Sequence, residues 1–77
     1  MNLQIISPDG SVLNTEAEVV KMPGVEGQFT ILEGHAPMIA ALKSGSIFYQ
    51  KEGQKKELKI ESGFAEVADD EIKVCID

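Results

Sequence analysis

The chain contains no arginine and no tryptophan, and it has a single histidine and a single cysteine. Without arginine it lacks the forked donor that proteins favour for phosphate groups and for the edges of guanine bases. Its formal net charge of -6 also opposes the approach of a polyanion. Since nucleic-acid binding depends largely on neutralising phosphates with basic side chains, the sequence predicts no nucleic-acid partner.

Long hydrophobic runs are also absent. No segment approaches the roughly 20 apolar residues of a membrane-spanning helix, and the start "MNLQIISPDG" lacks the basic and apolar regions of a secretory signal. A lone Cys75 cannot form a disulfide within the chain, which fits a reducing compartment. We therefore expect a soluble, cytoplasmic protein without direct membrane insertion, folded as one domain over residues 1–77.

The residues of catalytic and metal chemistry are too few and too scattered. His35 and Cys75 are forty residues apart, whereas a zinc site needs about three or four such ligands. The acidic stretch 69–71 is too short for a calcium loop, and the glycines of "PGVEGQ" and "LEGHAP" lack the spacing of a phosphate-binding loop. We expect no catalytic residue, cofactor site or metal site, and we interpret His35 as a residue that caps or packs a turn.

Turn-forming residues recur along the whole chain and leave segments of only four to eight residues between them. The segments alternate in polarity: Ile72, Val74 and Ile76 point to one side of a strand, and Lys73 and Cys75 to the other. The pattern predicts an all-β fold, a small β-sandwich or barrel of about nine to ten short, mostly antiparallel strands. The predicted strands cover 3–6, 11–14, 16–22, 28–32, 37–42, 46–51, 57–61, 64–68 and 71–76.

The segment "APMIAALK", residues 36–43, has helical propensity. Eight residues do not support an isolated helix, so we predict a strand or a brief turn there.

One functional alternative depends on Val20, Lys21 and Met22. This tripeptide is similar to the Met-Lys-Met of biotin carrier domains, which are also all-β and in which the lysine carries the cofactor at a hairpin tip. A biotinyl or lipoyl carrier domain with Lys21 as its attachment site is therefore an alternative function.

Six segments follow one another in a specific order along nearly the whole chain. They are "LQIISPDG" at 3–10, "EAEVV" at 16–20, "PGVEGQF" at 23–29, "EGHAP" at 33–37, "LKSG" at 42–45 and "SGFAEV" at 62–67, of which "EGHAP" is the most specific. This order resembles the N-terminal β-sandwich domain of the epsilon subunit of F-type ATP synthase. The chain departs from that family at Thr30, where glycine is usual, and at Glu33, where proline is usual.

The resemblance implies a non-catalytic subunit at the foot of the central stalk. There it would bind the gamma subunit and rest on the polar loops of the membrane c-ring, on the cytoplasmic side of a bacterial membrane, so that rotation of the ring reaches the catalytic head. Carried over by position, the turn 26–28 would face the ring, and the segment 33–38 would lie where gamma and the ring meet. The implied interface residues are Glu26, Gly27, Gln28, Glu33, Gly34, His35, Ala36, Pro37 and Met38.

Members of the family commonly continue into a C-terminal hairpin of two helices, which in some bacteria binds ATP or inhibits hydrolysis. Such a hairpin would follow Asp77. The resemblance therefore implies that the present domain couples rotation without this inhibitory brake. Because the chain also lacks a phosphate-binding loop and has no arginine, we expect it not to bind ATP.

Overall fold

The computed structural model describes residues 1–77 and contains nine β-strands and no helix. It therefore has no helix that could cross a bilayer. The all-β prediction and the number of strands are confirmed. The strands are β1 (Asn2–Ser7), β2 (Gly10–Glu16), β3 (Val19–Gly24), β4 (Gly27–Leu32), β5 (Met38–Leu42), β6 (Gly45–Lys51), β7 (Gln54–Ile60), β8 (Gly63–Ala68) and β9 (Glu71–Ile76).

The strands form one curled sheet in the order β2-β1-β9-β8-β5-β3-β6-β7, with β4 paired to β3. Strands β5 and β3 are joined only through the pair Gly24 and Leu42. At this narrow junction the sheet folds over into two layers, β2-β1-β9-β8-β5 and β4-β3-β6-β7. Every pair is antiparallel except β1 with β9, and the end strands β2 and β7 are not paired with each other. The molecule is thus a sandwich of mostly antiparallel strands rather than a closed barrel.

The core lies between the two layers and contains no polar side chain. Alternation along β9 places Ile72 and Val74 inside and Lys73 and Cys75 outside, as the sequence predicts. Because successive side chains of a strand point to opposite faces, a strand directs at most every second side chain into the core. The buried hydrophobic residues of the core are Leu3, Ile5, Ala17, Val20, Met22, Ile31, Leu42, Ile47, Ile60, Ala65, Val67, Ile72 and Val74.

The predicted strand over 16–22 is wrong at both ends. The chain breaks at Ala17 and Glu18, whose amides donate to the carbonyls of Met1 and Gln50, each at 2.8 Å. The apolar and acidic residues on both sides of this break give no local turn signal, so only these long-range bonds reveal it. At the other end β3 continues through Pro23, which was expected to begin a turn. Proline is tolerated there because the pairing of β3 with β6 ends at Lys21, so no ladder bond to β6 needs an N–H at Pro23.

The predicted start of β7 at residue 57 is also wrong, since the strand begins at Gln54. The preceding turn is formed by Glu52 and Gly53 alone, both at positive φ (52° and 78°). This tight turn continues the pairing of β6 and β7 as far as Lys51 and Gln54. The residues that start β7 are exposed and polar, so they lack the alternation that reveals a strand. By contrast, residues 38–42 form β5, in agreement with the expected strand.

The adjacent residues Ile31 and Leu32 test the alternation that builds the core. Ile31 is fully buried, whereas Leu32 is 55% exposed on the same strand. Truncation of Ile31 to alanine should lower the free energy of unfolding by about 2–5 kcal/mol, out of a total of about 4–11 kcal/mol for a chain of this length. Leu32→Ala should cost no more than about 0.5 kcal/mol. Urea denaturation of the two variants measures the difference, and equal losses would contradict this arrangement of the core.

Candidate interaction surface

The turn between β3 and β4 carries Glu26 and Gln28 on a rigid hairpin. Gly24 and Gly27 face each other at its base, and a Cβ on Gly24 would lie only 2.7 Å from the carbonyl oxygen of Gly27. Gly27 has a φ of 129°, which L side chains rarely adopt. The amide of Val25 donates to the carbonyl of Ala41 at 3.0 Å and so ties the turn to the other layer. The exposed Glu26 and Gln28 side chains therefore start from a fixed backbone.

The segment from Glu33 to Pro37 connects β4 with β5, and all five of its residues are exposed. Gly34 has a φ of 81°, and its amide donates to the Asp70 carboxylate at 3.0 Å. The amide of His35 donates to the carbonyl of Leu32 at 3.1 Å. The conformation of this loop is thus restrained by the left-handed backbone of Gly34, by the local hydrogen bond of the His35 amide, and by the hydrogen bond from Gly34 to the distant Asp70.

The side chain of His35 makes a local contact. Its Nδ1 lies 2.6 Å from the carbonyl oxygen of Ala36. A carbonyl only accepts hydrogen bonds, so in this geometry Nδ1 carries the proton. The ring therefore braces the loop, which agrees with the interpretation of His35 as a residue of the turn.

The nine implied interface residues do not form one patch. The turn 26–28 and the loop 33–37 lie at opposite ends of β4, and a six-residue strand spans about 20 Å. Met38 differs from the loop 33–37 because it lies near the turn 26–28. A groove between the two layers is lined by residues 24–29 on one side and 38–41 on the other. The structure brings Met38 together with Glu26, Gly27 and Gln28, and leaves the Glu33 loop at the other end.

An apolar face occupies part of the outside of the layer that contains β5, β8, β9 and β1. Ile39 is 75% exposed and Phe64 is 63% exposed. The strand registers place Phe64 next to Cys75, and Cys75 next to Ile6, in one row across the sheet. We call Ile6, Ile39, Phe64 and Cys75 the apolar face. Contiguous exposed apolar surface of this kind marks interaction sites in small soluble domains.

This face was not predicted from the sequence, although a signal for it was present. Phe64 directly precedes Ala65 on β8, and both Ala65 and Val67 are buried. The same alternation that assigns those two residues to the core assigns Phe64 to the outside. A large aromatic residue at an outward position is the signal that could have found the face.

The outer face of the opposite layer has a different character. Its exposed aromatic residue, Phe48, is 41% exposed and is flanked across the strands by Lys21 and Glu57. Lys21, Phe48 and Lys55 line a shallow depression on this face. This face is mixed and charged, so the two outer faces of the sandwich are not equivalent.

Lys21 does not occupy the position that the carrier alternative requires. It lies inside β3, between Thr30 on β4 and Phe48 on β6. A cofactor-carrying lysine must project from a hairpin tip to swing between sites, and the tip of this hairpin is formed by Val25 and Glu26. The structure also places no three His, Cys, Asp or Glu residues in a group that could hold a metal ion.

Comparison with known proteins gives one consistent family. The family described as "ATP synthase, Delta/Epsilon chain, beta-sandwich domain" matches residues 1–77. The ATP synthase epsilon chain of Nitratidesulfovibrio vulgaris (strain DP4) is 38% identical over 74 residues, which are 96% of this chain and 55% of that one. The epsilon chain of Helicobacter pylori (strain ATCC 700392 / 26695) is 36% identical over 77 residues, with 100% and 63% covered. The chain thus spans little more than half the length of these curated relatives.

Solved structures agree in fold. A chain of the Euglena gracilis mitochondrial ATP synthase, in a structure of OSCP, F1 and c-ring, superposes with a TM-score of 0.88 at 26% identity, covering 96% of this chain and 48% of that one. A chain from the central stalk and c-ring of the Tetrahymena thermophila mitochondrial ATP synthase gives a TM-score of 0.80 at 13% identity, with 99% and 62% covered. The second likeness concerns the fold alone.

Proposed function

This chain belongs to the ATP synthase delta/epsilon family, and on that premise we propose that it is a non-catalytic subunit of the central stalk of a proton-translocating F-type ATP synthase. In this role it links the gamma subunit to the c-ring and helps to transmit the rotation of the ring to the catalytic head. Its place is on the cytoplasmic side of a bacterial cell membrane, as a peripheral part of the complex. The observation that carries this proposal is the apolar face on a chain that matches the family throughout.

The apolar face fits a protein partner, and we assign it to gamma. Aromatic and aliphatic side chains at the centre of an interface, with charged residues around them, are the usual arrangement of a stable protein contact. Here Glu66 lies beside Ile39, and Lys73 lies beside Glu66. These two charges form a polar rim next to Ile39 and Phe64.

The turn 26–28 fits a polar partner, and we assign it to the loops of the c-ring. Glu26 and Gln28 are exposed on a hairpin that glycines hold in one conformation. Ring loops of this family generally carry an arginine, which gives Glu26 a partner. An exposed ion pair contributes about 1 kcal/mol or less. Such a contact therefore influences register and encounter rate more than affinity.

The sandwich by itself is not expected to brake hydrolysis. Inhibition in this family is attributed to the helical hairpin, which extends toward the catalytic subunits. In the 77 residues described here the connections between strands are short, the longest being 33–37. No segment of the domain can detach and reach a distant site without breaking the core.

The first test of this function compares two phenylalanines on opposite outer faces. Phe64→Glu should weaken binding to gamma at least about tenfold. The aromatic side chain that gamma would bury is replaced by a charge, and this charge must lose its water when the complex forms. Phe48→Glu is the matched control and should bind as the wild type does. Calorimetric titration of each folded variant with purified gamma measures the affinities. Equal effects of the two substitutions would remove the apolar face from the gamma interface.

The second test concerns the turn 26–28. Replacing Glu26 and Gln28 together with lysine should leave the domain folded, since changes at exposed polar positions usually cost no more than about 0.5 kcal/mol. Proton-driven ATP synthesis by the reconstituted complex should fall, because like charges would then face the basic loops of the ring. Synthesis is measured at low ionic strength, where the repulsion between the introduced lysines and the basic loops is least screened. Undiminished synthesis there would show that this turn does not face the ring.

The third test concerns the brake. The 77-residue protein is added to a catalytic head complex that lacks epsilon, and ATP hydrolysis is followed. We expect hydrolysis to continue at nearly its original rate, and we expect calorimetry to detect no saturable ATP binding at millimolar nucleotide. Strong inhibition, or saturable binding, would place the regulatory function in the sandwich itself.

A further inference from the structure

The turn between β8 and β9 does more than reverse the chain. It consists of Asp69 and Asp70, both at positive φ (51° and 59°). The carboxylate of Asp70 accepts the amide of Gly34 at 3.0 Å, from a residue 36 positions away in the sequence. The carbonyl of the same Asp70 accepts the amide of Asn2 at 3.0 Å. One residue thus connects the last hairpin, the first strand and the loop 33–37.

The loop 33–37 has few other restraints. Its residues are exposed, and its remaining hydrogen bonds are the local ones, from the His35 amide to Leu32 and between the His35 ring and Ala36. Local bonds move together with the loop and do not fix it to the body of the domain. The bond from Gly34 to Asp70 is the contact that fixes it. An untethered loop would have to be ordered on binding, which weakens affinity.

Aspartate suits this position for two separate reasons. Aspartate and asparagine adopt the left-handed backbone more readily than other residues with a side chain. An ionised carboxylate is also a stronger acceptor for a backbone amide than a neutral group is. The left-handed backbone of the turn points the carboxylate at the loop, so both properties act together.

We propose that Asp70 is a positioning residue that holds the loop 33–37 in its binding conformation by accepting the Gly34 amide. This proposal rests on the proposed function for its partner, since the resemblance to the epsilon family implies that this loop lies where gamma and the ring meet. Asp70 itself need not touch the partner. It acts through Gly34 and thereby on the orientation of His35.

Two substitutions separate the carboxylate from the backbone of the turn. Asp70→Gly retains the left-handed conformation, which glycine adopts without strain, and removes the acceptor. Asp70→Asn retains both the conformation and an acceptor oxygen. Asp69→Gly is the matched control, because it makes the same change at the neighbouring left-handed position of the same turn. Urea denaturation of all three confirms that the fold is retained.

We call the hydrogen bond from the Gly34 amide to the Asp70 carboxylate the tether. Two measurements test whether it exists and whether it affects binding to gamma. Solvent exchange of the Gly34 amide, measured by NMR on the free domain, should be roughly fivefold faster in Asp70→Gly, faster to a smaller extent in Asp70→Asn, whose neutral acceptor is weaker, and nearly unchanged in Asp69→Gly. Affinity for purified gamma, measured by calorimetry, should fall about threefold or more in Asp70→Gly and less in Asp70→Asn. Partial rescue by asparagine distinguishes positioning from a general loss of stability.

The contrary outcomes are equally definite. If Gly34 exchanges at the same rate in Asp70→Gly and Asp69→Gly, the tether does not exist and the proposal is overturned. Faster exchange without loss of affinity would show that the conformation of the loop does not matter for binding, which also overturns it. If the wild-type domain does not bind gamma, the proposed function fails and the binding role of Asp70 fails with it, while the exchange rates still decide whether the tether is real.

Discussion

The burial of apolar side chains between the two layers is the constraint on which the rest of this structure depends. The domain has no disulfide, no metal cluster and no helix to cover a sheet. Its layers must therefore cover each other, and they meet through a core to which eight of the nine strands contribute one or two residues each. A chain of this length buries only about 60% of the surface that it exposes when unfolded. Little of the core can be lost before the fold fails.

Closure of the layers also fixes the turns. Two glycines lie where a side chain would collide with the backbone of a neighbouring strand. A Cβ on Gly63 would lie 2.5 Å from the carbonyl oxygen of Cys75, and a Cβ on Gly24 would lie 2.7 Å from that of Gly27. The turns at the ends of the sandwich are consequently rigid extensions of the core. A rigid body of this kind can pass a torque from one contact surface to another, as the proposed stalk function requires.

The two outer faces follow from the same alternation that fills the core. Each residue directed inward leaves its neighbours directed outward, and on one layer these neighbours include Ile39 and Phe64. On the other layer they include Lys21, Phe48 and Glu57. The exposed Phe64 of one layer has Cys75 beside it, whereas the exposed Phe48 of the other layer lies between Lys21 and Glu57, so the two faces suit different partners. The tether from Asp70 adds a second kind of order, because it fixes a loop that the core does not reach.

The class of fold, the number of strands and the inward or outward direction of residues such as Ile72, Val74 and Lys73 could be predicted from the sequence, because these follow from local turn signals and a period of two. The resemblance to the epsilon family was also readable from segments such as Gly34 to Pro37. The neighbours of each strand, by contrast, are known only from the folded chain: β1 lies parallel to β9, Ala17 ends a strand, Met38 shares a groove with Glu26, and Asp70 holds Gly34. Alternation specifies the face of a strand but not its partner. Partners distant in sequence are selected by the closure of the whole core, which no local segment encodes.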